Sequence, residues 1–416
     1  MDLKKEIKLS DLVPKRRRRD DADPRPSEPK PERKRRFART RKNAVAEPTP
    51  KAAKKPKAKA ERSGRTKKLV GLKIGASQIA AARVVNNGEP QLVQVAREEL
   101  DTDVVVDGEL RQPDELAAVL RRFFRTHKLP RQNVRLGISN NRVGVRVFEI
   151  AGIDDDKQLA NAIKYRAQET LPIPVDEAVL DYHILGERLD DEGVLHRRVL
   201  LVVAYRDLID RYAAACKKAG VRLAGIDLEA FALLRALTPA PTPAPMASAV
   251  VVVSVGHERT TFAVSDGQSC QFTRVLEWGG ASLDGAIAKA LDLSPSEAQP
   301  IKLTLSLSEP STPAGLTSEQ ADRVREAVVK AVHEFARDLV SSLQFYQSQP
   351  GSLGIGEIIL TGGTAQLPGF AAELMRLLGV RTSVGDPLGH IKVGKKVDRE
   401  QPLGSLAAAI GLGIEY

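Results

Sequence analysis

A chain of 416 residues with 42% hydrophobic content is long enough for two or three packed domains, and its formal net charge of +11 is unevenly placed. Residues 1–66 hold 24 Lys+Arg against 10 Asp+Glu, a local charge of +14, which leaves −3 for the remainder. Two cysteines, Cys216 and Cys270, exclude a disulfide framework and have no metal-ligand spacing; they fit buried apolar fillers in a reducing cytoplasm. The start Met1–Glu6 has no apolar signal core, and no apolar run nears the roughly 18 residues that span a bilayer, so a soluble or membrane-peripheral protein is expected.

The basic clusters Lys15–Arg19, Arg33–Arg36 and Lys51–Lys59 sit among Pro and Ala with a single aromatic, Phe37, a composition that predicts disorder. Such a tail is a solvated linker, a tether to anionic lipid headgroups or a nonspecific nucleic-acid binder. One Phe offers no stacking platform, which favours the membrane surface over nucleic acid. Ile7–Pro14 is a short apolar island before the first basic cluster, with the shape of a docking peptide.

Order is predicted from Lys67. Leu69–Ile74, a Gly75-Ala76-Ser77 turn and a strand from Gln78 read as a β-hairpin, and Asn86-Asn87-Gly88 turns into a third strand, Gln91–Arg97. Backbone N–H groups of Ala76, Ser77 and Gln78 can cradle a phosphate there, or the turn is an ordinary hairpin. Pro113–Thr126 reads as a helix with an apolar stripe of Leu116, Val119, Leu120, Phe123 and Phe124. After the strand Val134–Ser139, acidic residues Asp154–Asp156 open a helix with Leu159, Ile163, Ala167 and Leu171 on one face. Val199–Ala204 is a buried strand, Leu208–Ala219 a helix closed by Gly220, and Val221–Ile226 a return toward the sheet.

Alternating prolines make Thr238–Pro245 a linker. Ala249–Gly267 then repeats the first pattern: a buried strand, a Gly256 turn, a second strand and another turn, as an internal duplication clamping a phosphate between two lobes would require. His257 is placed as a loop residue rather than a catalyst. Glu319–Gln347 is a long amphipathic helix ending near Pro350-Gly351. The stretch Glu357–Phe370 reads as a buried strand, a Gly362-Gly363 turn and a helix start, with Pro368 in the first helical turn. Leu406–Gly413 is a small-residue helix able to pack closely.

These residues resemble the actin-like ATPase superfamily and, within it, the PilM-type pilus assembly proteins related to FtsA, over about residues 67–416. The resemblance implies a two-lobed α/β fold with an inserted 1C (SHS2-like) subdomain and a disordered basic N-terminal tail. Its expected boundaries are 1–66 for the tail and 67–237 for the first lobe, including the 1C subdomain at about 133–205. The linker is 238–247, and 248–416 is the second lobe, with the final helix returning to the first. It further implies ATP as ligand. Phosphate motif 1 falls on Lys73, Gly75, Ala76, Ser77 and Gln78, motif 2 on Ser254 and Gly256, nucleoside contacts on Gln299 and Lys302, and the adenosine motif on Gly362, Gly363 and Thr364.

The chain departs from the family where the chemistry sits. Both motifs normally begin with an Asp that holds magnesium and its waters; here those places carry Lys73 and Ser254, which removes the expected Mg2+ field. Lys73 either neutralises a phosphate in place of the metal or faces solvent. Glu258 and Asp266, the acids near the second hairpin, match no family base, and no catalytic or metal-binding residue is assigned. The expected function is a cytoplasmic, membrane-peripheral scaffold of the type IV pilus platform, docking the N-terminal peptide of PilN beside the 1C subdomain, with weak nucleotide binding or none turned over. The alternatives are an FtsA-like polymer-forming division scaffold and an active ATPase or small-molecule kinase of the same superfamily.

Overall fold

The computed structural model describes residues 67–170, 174–241, 246–309, 312–395, 397–398 and 401–415. The basic tail with its Ile7–Pro14 island, Leu171–Ile173 and Thr242–Pro245 of the linker lie outside these residues.

Strands β1 (Lys67–Ile74), β2 (Gln78–Asn87) and β3 (Glu89–Glu99) form an antiparallel meander through the two predicted turns. A short ribbon follows, β4 (Val105–Val106) and β5 (Glu109–Leu110), turning at Asp107 and Gly108, both at positive φ. Helix α1 (Pro113–Thr126) carries Pro113 at its start and Asp114 and Glu115 in its first turn, and it buries all five residues of its predicted stripe. Burying each such side chain contributes roughly 1.5–3 kcal/mol. Strand β6 (Val134–Ile138) then pairs parallel with β1.

A separate three-stranded antiparallel sheet is built from β7 (Val143–Ala151), helix α2 (Asp156–Thr170), β8 (Ala178–Leu189) and β9 (Leu195–Tyr205), in the strand order β7-β9-β8. Asp155 Oδ1 accepts the backbone N–H groups of Lys157 and Gln158 at the helix start. Leu159, Ile163 and Ala167 pack on Val199, Leu201 and Val203. The inserted piece was expected from about 133, but β6 is an inner strand of the larger sheet and the separate sheet starts at Val143. The reason is burial: Val134, Leu136, Gly137 and Ile138 are covered, whereas β7 is mostly half-buried or exposed.

Helix α3 (Arg206–Lys218), strand β10 (Leu223–Leu228) and helix α4 (Glu229–Leu237) complete this half, with β10 parallel to β6. A second meander follows, β11 (Ala249–Val255), β12 (Thr260–Ser265) and β13 (Cys270–Leu276), and then helices α5 (Gly280–Leu291), α6 (Pro295–Thr304) and α7 (Ser318–Gln347). Strand β14 (Ile355–Thr361) pairs parallel with β11; after helix α8 (Phe370–Leu378), β15 (Arg381–Val384) pairs parallel with β14. Finally β16 (Lys392–Val393) joins β3, and helix α9 (Ala407–Gly413) packs on α4, β1 and β2.

The sheet orders are β10-β6-β1-β2-β3-β16 and β13-β12-β11-β14-β15. Each contains a three-stranded antiparallel meander whose first strand pairs parallel with a fourth, and the fourth with a fifth, so the duplication suggested by the two hairpins extends through five strands. Pro368 was expected in a first helical turn; instead Thr364–Gln366 form one 3-10 turn, and α8 begins only at Phe370, after Gly369 at φ 86°. A Cβ at Gly369 would crowd the Leu307–Ser308 backbone, so the chain must turn there before a helix can start. Cys216 and Cys270 are buried, and burial pushes both thiols up to about 12, which keeps them protonated fillers. No described helix is long and apolar enough to cross a membrane.

One half-buried carboxyl in the three-stranded sheet gives stability a pH dependence. Burial raises Asp181 to about 6, opposed by the Tyr182 N–H and reinforced by Asp227. Its folded value exceeds the ordinary 3.8, so the folded protein holds a proton that the unfolded chain has released between the two values, and stability falls as pH rises through that window. Urea melts from pH 4 to 7 should show an Asp181→Asn chain gaining about 1 kcal/mol on the natural protein across this range, the effect being reduced by solvent screening of a partly exposed group.

Candidate functional site

The turns after β1 and β11 face each other across a cavity of about 90 Å³. Lys73, Gly75, Ala76, Ser77 and Gln78 line one side and Ser254, Gly256, His257, Glu258 and Arg259 the other, with Gly137–Asn140, at and just past the end of β6, also in the lining. Each turn is closed by its own backbone: Gly75 N–H donates to Gln78 O (2.9 Å) and Gly256 N–H to Arg259 O (2.9 Å). Ser139 Oγ and Thr261 Oγ1 meet at 2.7 Å and link the ends of the two sheets.

Lys73 meets a carboxylate that comes from neither turn. Glu229, the first residue of α4, lies 3.3 Å from Lys73 Nζ through its Oε2, and the two side chains are only 5% and 16% exposed. The position at a helix N-terminus suits a carboxylate. Lys73 therefore does not face solvent: its charge is matched by an internal partner. Ser254 is buried in β11, between Thr261 of β12 and Thr361 of β14. Tyr212 lies against this group. Burial, then Glu229, lifts its hydroxyl well above the ordinary tyrosine range, while Arg259 opposes the shift.

These residues do not fit magnesium. The one carboxylate beside Lys73 is already paired, Ser254 offers a neutral hydroxyl, and among the described residues no group of three or more His, Cys, Asp or Glu could hold a metal ion.

The remaining predicted positions sit on a second arc. Thr364 Oγ1 donates to Gly256 O (2.9 Å), and Gly362, at φ 94°, lies so close to Val255 that a Cβ would strike its carbonyl. Gly363 is exposed beside them. Lys302 Nζ donates to Gly280 O (3.0 Å) and to Asp284 Oδ2 (2.6 Å), so its charge too is matched by a buried acid. Helix α5 reaches the second turn through Gly280 N–H to Gly256 O (2.9 Å) and Ala281 N–H to His257 O (2.7 Å). Gln299 is exposed on α6 and is not drawn to the cavity by any hydrogen bond among the described residues. Seven of the twelve predicted residues thus line one cavity, while Thr364, Gly362 and Lys302 reach it through backbone neighbours.

No sequence motif marks Glu229, Tyr212 or Arg259. The available signal for Glu229 is an acid at a strand-to-helix junction, after Asp227-Leu228, and its relation to Lys73 depends on the order β10-β6-β1.

Two matching sheets, each presenting a glycine turn to a shared cleft, define the actin-like ATPase fold. The solved structure described as a "PilM-PilN type IV pilus biogenesis complex" has the same fold, with a TM-score of 0.69, 23% identity, and coverage of 84% of this chain and 98% of that one. Residues 71–415 match the family described as type IV pilus assembly protein PilM, and the chain belongs to it. The cell division protein FtsA of Escherichia coli strain K12 is 26% identical over 213 residues, covering 47% of this chain and 50% of that protein. FtsA of Streptococcus pneumoniae is 24% identical over 213 residues, covering 49% of this chain and 45% of that protein. The chain spans about half the length of these curated relatives.

Proposed function

We propose that this pilus assembly protein is a peptide-docking adapter at the inner face of the cytoplasmic membrane, in which nucleotide held in the cleft sets the closure of two lobes without being consumed. The observation that carries the reading is the route from cavity to docking sheet. Ser139 and Asn140 line the cavity, and β7 begins at Val143, immediately beyond them. The three-stranded sheet also holds the far lobe: Arg198 donates to Gln271 (2.5 Å), and Asn141, just before β7, donates to Glu277 (3.1 Å). A ligand that closes the cleft therefore biases the position of this sheet, beside which the N-terminal peptide of a PilN-type partner would dock. The Lys73–Glu229 pair supports binding without turnover, since it stands where hydrolysis would need a metal.

The test is fluorescence polarisation of a labelled PilN-type N-terminal peptide against the full chain, with and without saturating ATP, while ADP is followed for several hours. Peptide capture with an affinity that shifts on adding ATP is expected, at fewer than about one turnover per hour against the ~1–10³ s⁻¹ of ordinary enzymes. Equal affinity in both conditions sinks the coupling. Sustained ADP release sinks the switch without turnover, and ATP-dependent sedimentation without peptide capture would favour an FtsA-like filament.

A further inference from the structure

We infer that Arg259 is the cation that holds a phosphate-bearing anion in this cleft, with no divalent metal. The inference rests on the reading of the cleft as a nucleotide site and names the residue and the charge balance that reading leaves open.

The other fixed positive charge lining the cavity is already matched. Lys73 is paired with Glu229. Glu258 Oε2 accepts the Asp107 N–H at 3.2 Å and makes no ion pair with its neighbour. Arg259 is the exception. Its Nε and Nη1 are buried and meet no acceptor among the described residues, although the side chain lines the cavity. A guanidinium stays charged at any ordinary pH and cannot shed its proton to escape burial. Leaving those two buried nitrogens without an acceptor is unfavourable, an arrangement a fold tolerates when a ligand supplies the missing oxygens.

The surroundings suit a tetrahedral oxyanion. The backbone N–H groups of Ala76 and Ser77 on one turn, and of His257 and Glu258 on the other, have no protein acceptor among the described residues. Such paired turns form anion-binding concavities. The cavity of about 90 Å³ has room for a phosphate-sized group or a few waters. Gly108 keeps Arg259 in place: it lies at φ 64°, its carbonyl accepts Asn140 Nδ2 (2.9 Å), and a Cβ there would collide with Arg259 Nη1. Arg259 thus comes from the β11–β12 turn and rests on the β4–β5 turn, so an anion gripped by it and by the β1–β2 turn draws these turns together.

The full chain is titrated calorimetrically with ATP, ADP and inorganic pyrophosphate, first in EDTA and then in excess magnesium. Binding is expected in EDTA, with magnesium changing the affinity less than about threefold; Arg259→Ala should weaken it at least about tenfold, the value of a lost charge-assisted hydrogen bond. Arg259→Gln, which keeps a donor and much of the length without the charge, should show the same loss, and thermal melts of both variants establish that they fold. Pyrophosphate binding comparably to ATP assigns recognition to the phosphates; ATP alone binding shows that the nucleoside is required, and the Arg259 variants must then still lose affinity. Binding that appears only with magnesium, or foldable Arg259 variants that bind as the natural chain does, overturns the inference and leaves the nucleotide cleft standing. No binding by any ligand in either condition overturns both.

Discussion

A Glu229→Ala chain should lose about 3–5 kcal/mol of stability, a large share of the 5–15 kcal/mol that holds a typical domain together. The cost comes from what is left behind. Lys73 is 16% exposed and Glu229 5%, so removing the carboxylate strands an ammonium away from water. Lys73→Met should also destabilise the fold, because it leaves a buried carboxylate without its cation. The double change Lys73→Met with Glu229→Leu should recover most of the loss, since well-packed apolar residues of similar size often replace a buried pair at little cost. Chemical denaturation of the four chains at pH 5 and 8 measures this. A loss below about 1 kcal/mol for Glu229→Ala, the range of an exposed salt bridge, would mean that water reaches the pair.

The second large effect lies in packing. Gly411 of α9 faces Ala232 of α4 so closely that a Cβ would overlap the Ala232 carbonyl, and Gly71 of β1 faces the Ala409 carbonyl, with Leu412 Cβ 2.7 Å from the place of its missing Cβ. Helix α9 is thus pressed between a strand and a helix at backbone distance. Gly411→Val or Gly71→Val should cost about 4 kcal/mol or more, because a backbone on the other side cannot rotate away as a side chain can. Gly144→Ala on β7, where a Cβ meets nothing within 4 Å, should change stability by less than about 0.5 kcal/mol. Thermal melts of the three variants give the comparison, and a Gly411→Val chain as stable as Gly144→Ala would show that α9 can lift off without loss.

Much of the fold was legible because its signals are local. The α1 stripe, the α2 acidic start and the α7 repeat of Val324, Val328, Val332, Phe335 and Leu339 each report a periodicity of a few residues, and every one of these side chains apart from the acids is buried. The glycine turns after β1 and β11 were legible for the same reason. The separate sheet was misplaced at its start because Val134–Ile138 has the same apolar look whether it joins one sheet or another. Pro368 suited a helix start by type, but a close approach to Leu307–Ser308 delays the helix to Phe370.

At the site, the sequence alone determined which residues occupy the two glycine turns, and that Lys73 and Ser254 lie at the ends of the strands leading into them. It could not determine which charges cancel. Lys73 with Glu229, Lys302 with Asp284, and Arg259 Nε and Nη1 without an acceptor among the described residues were decided only when β10, β6 and β1 came to lie side by side and the two turns closed on one cavity. Periodicity and turn chemistry act over a few residues along the chain, whereas the energy of a charge depends on its distance from other charges and from water, and the tertiary structure alone sets both.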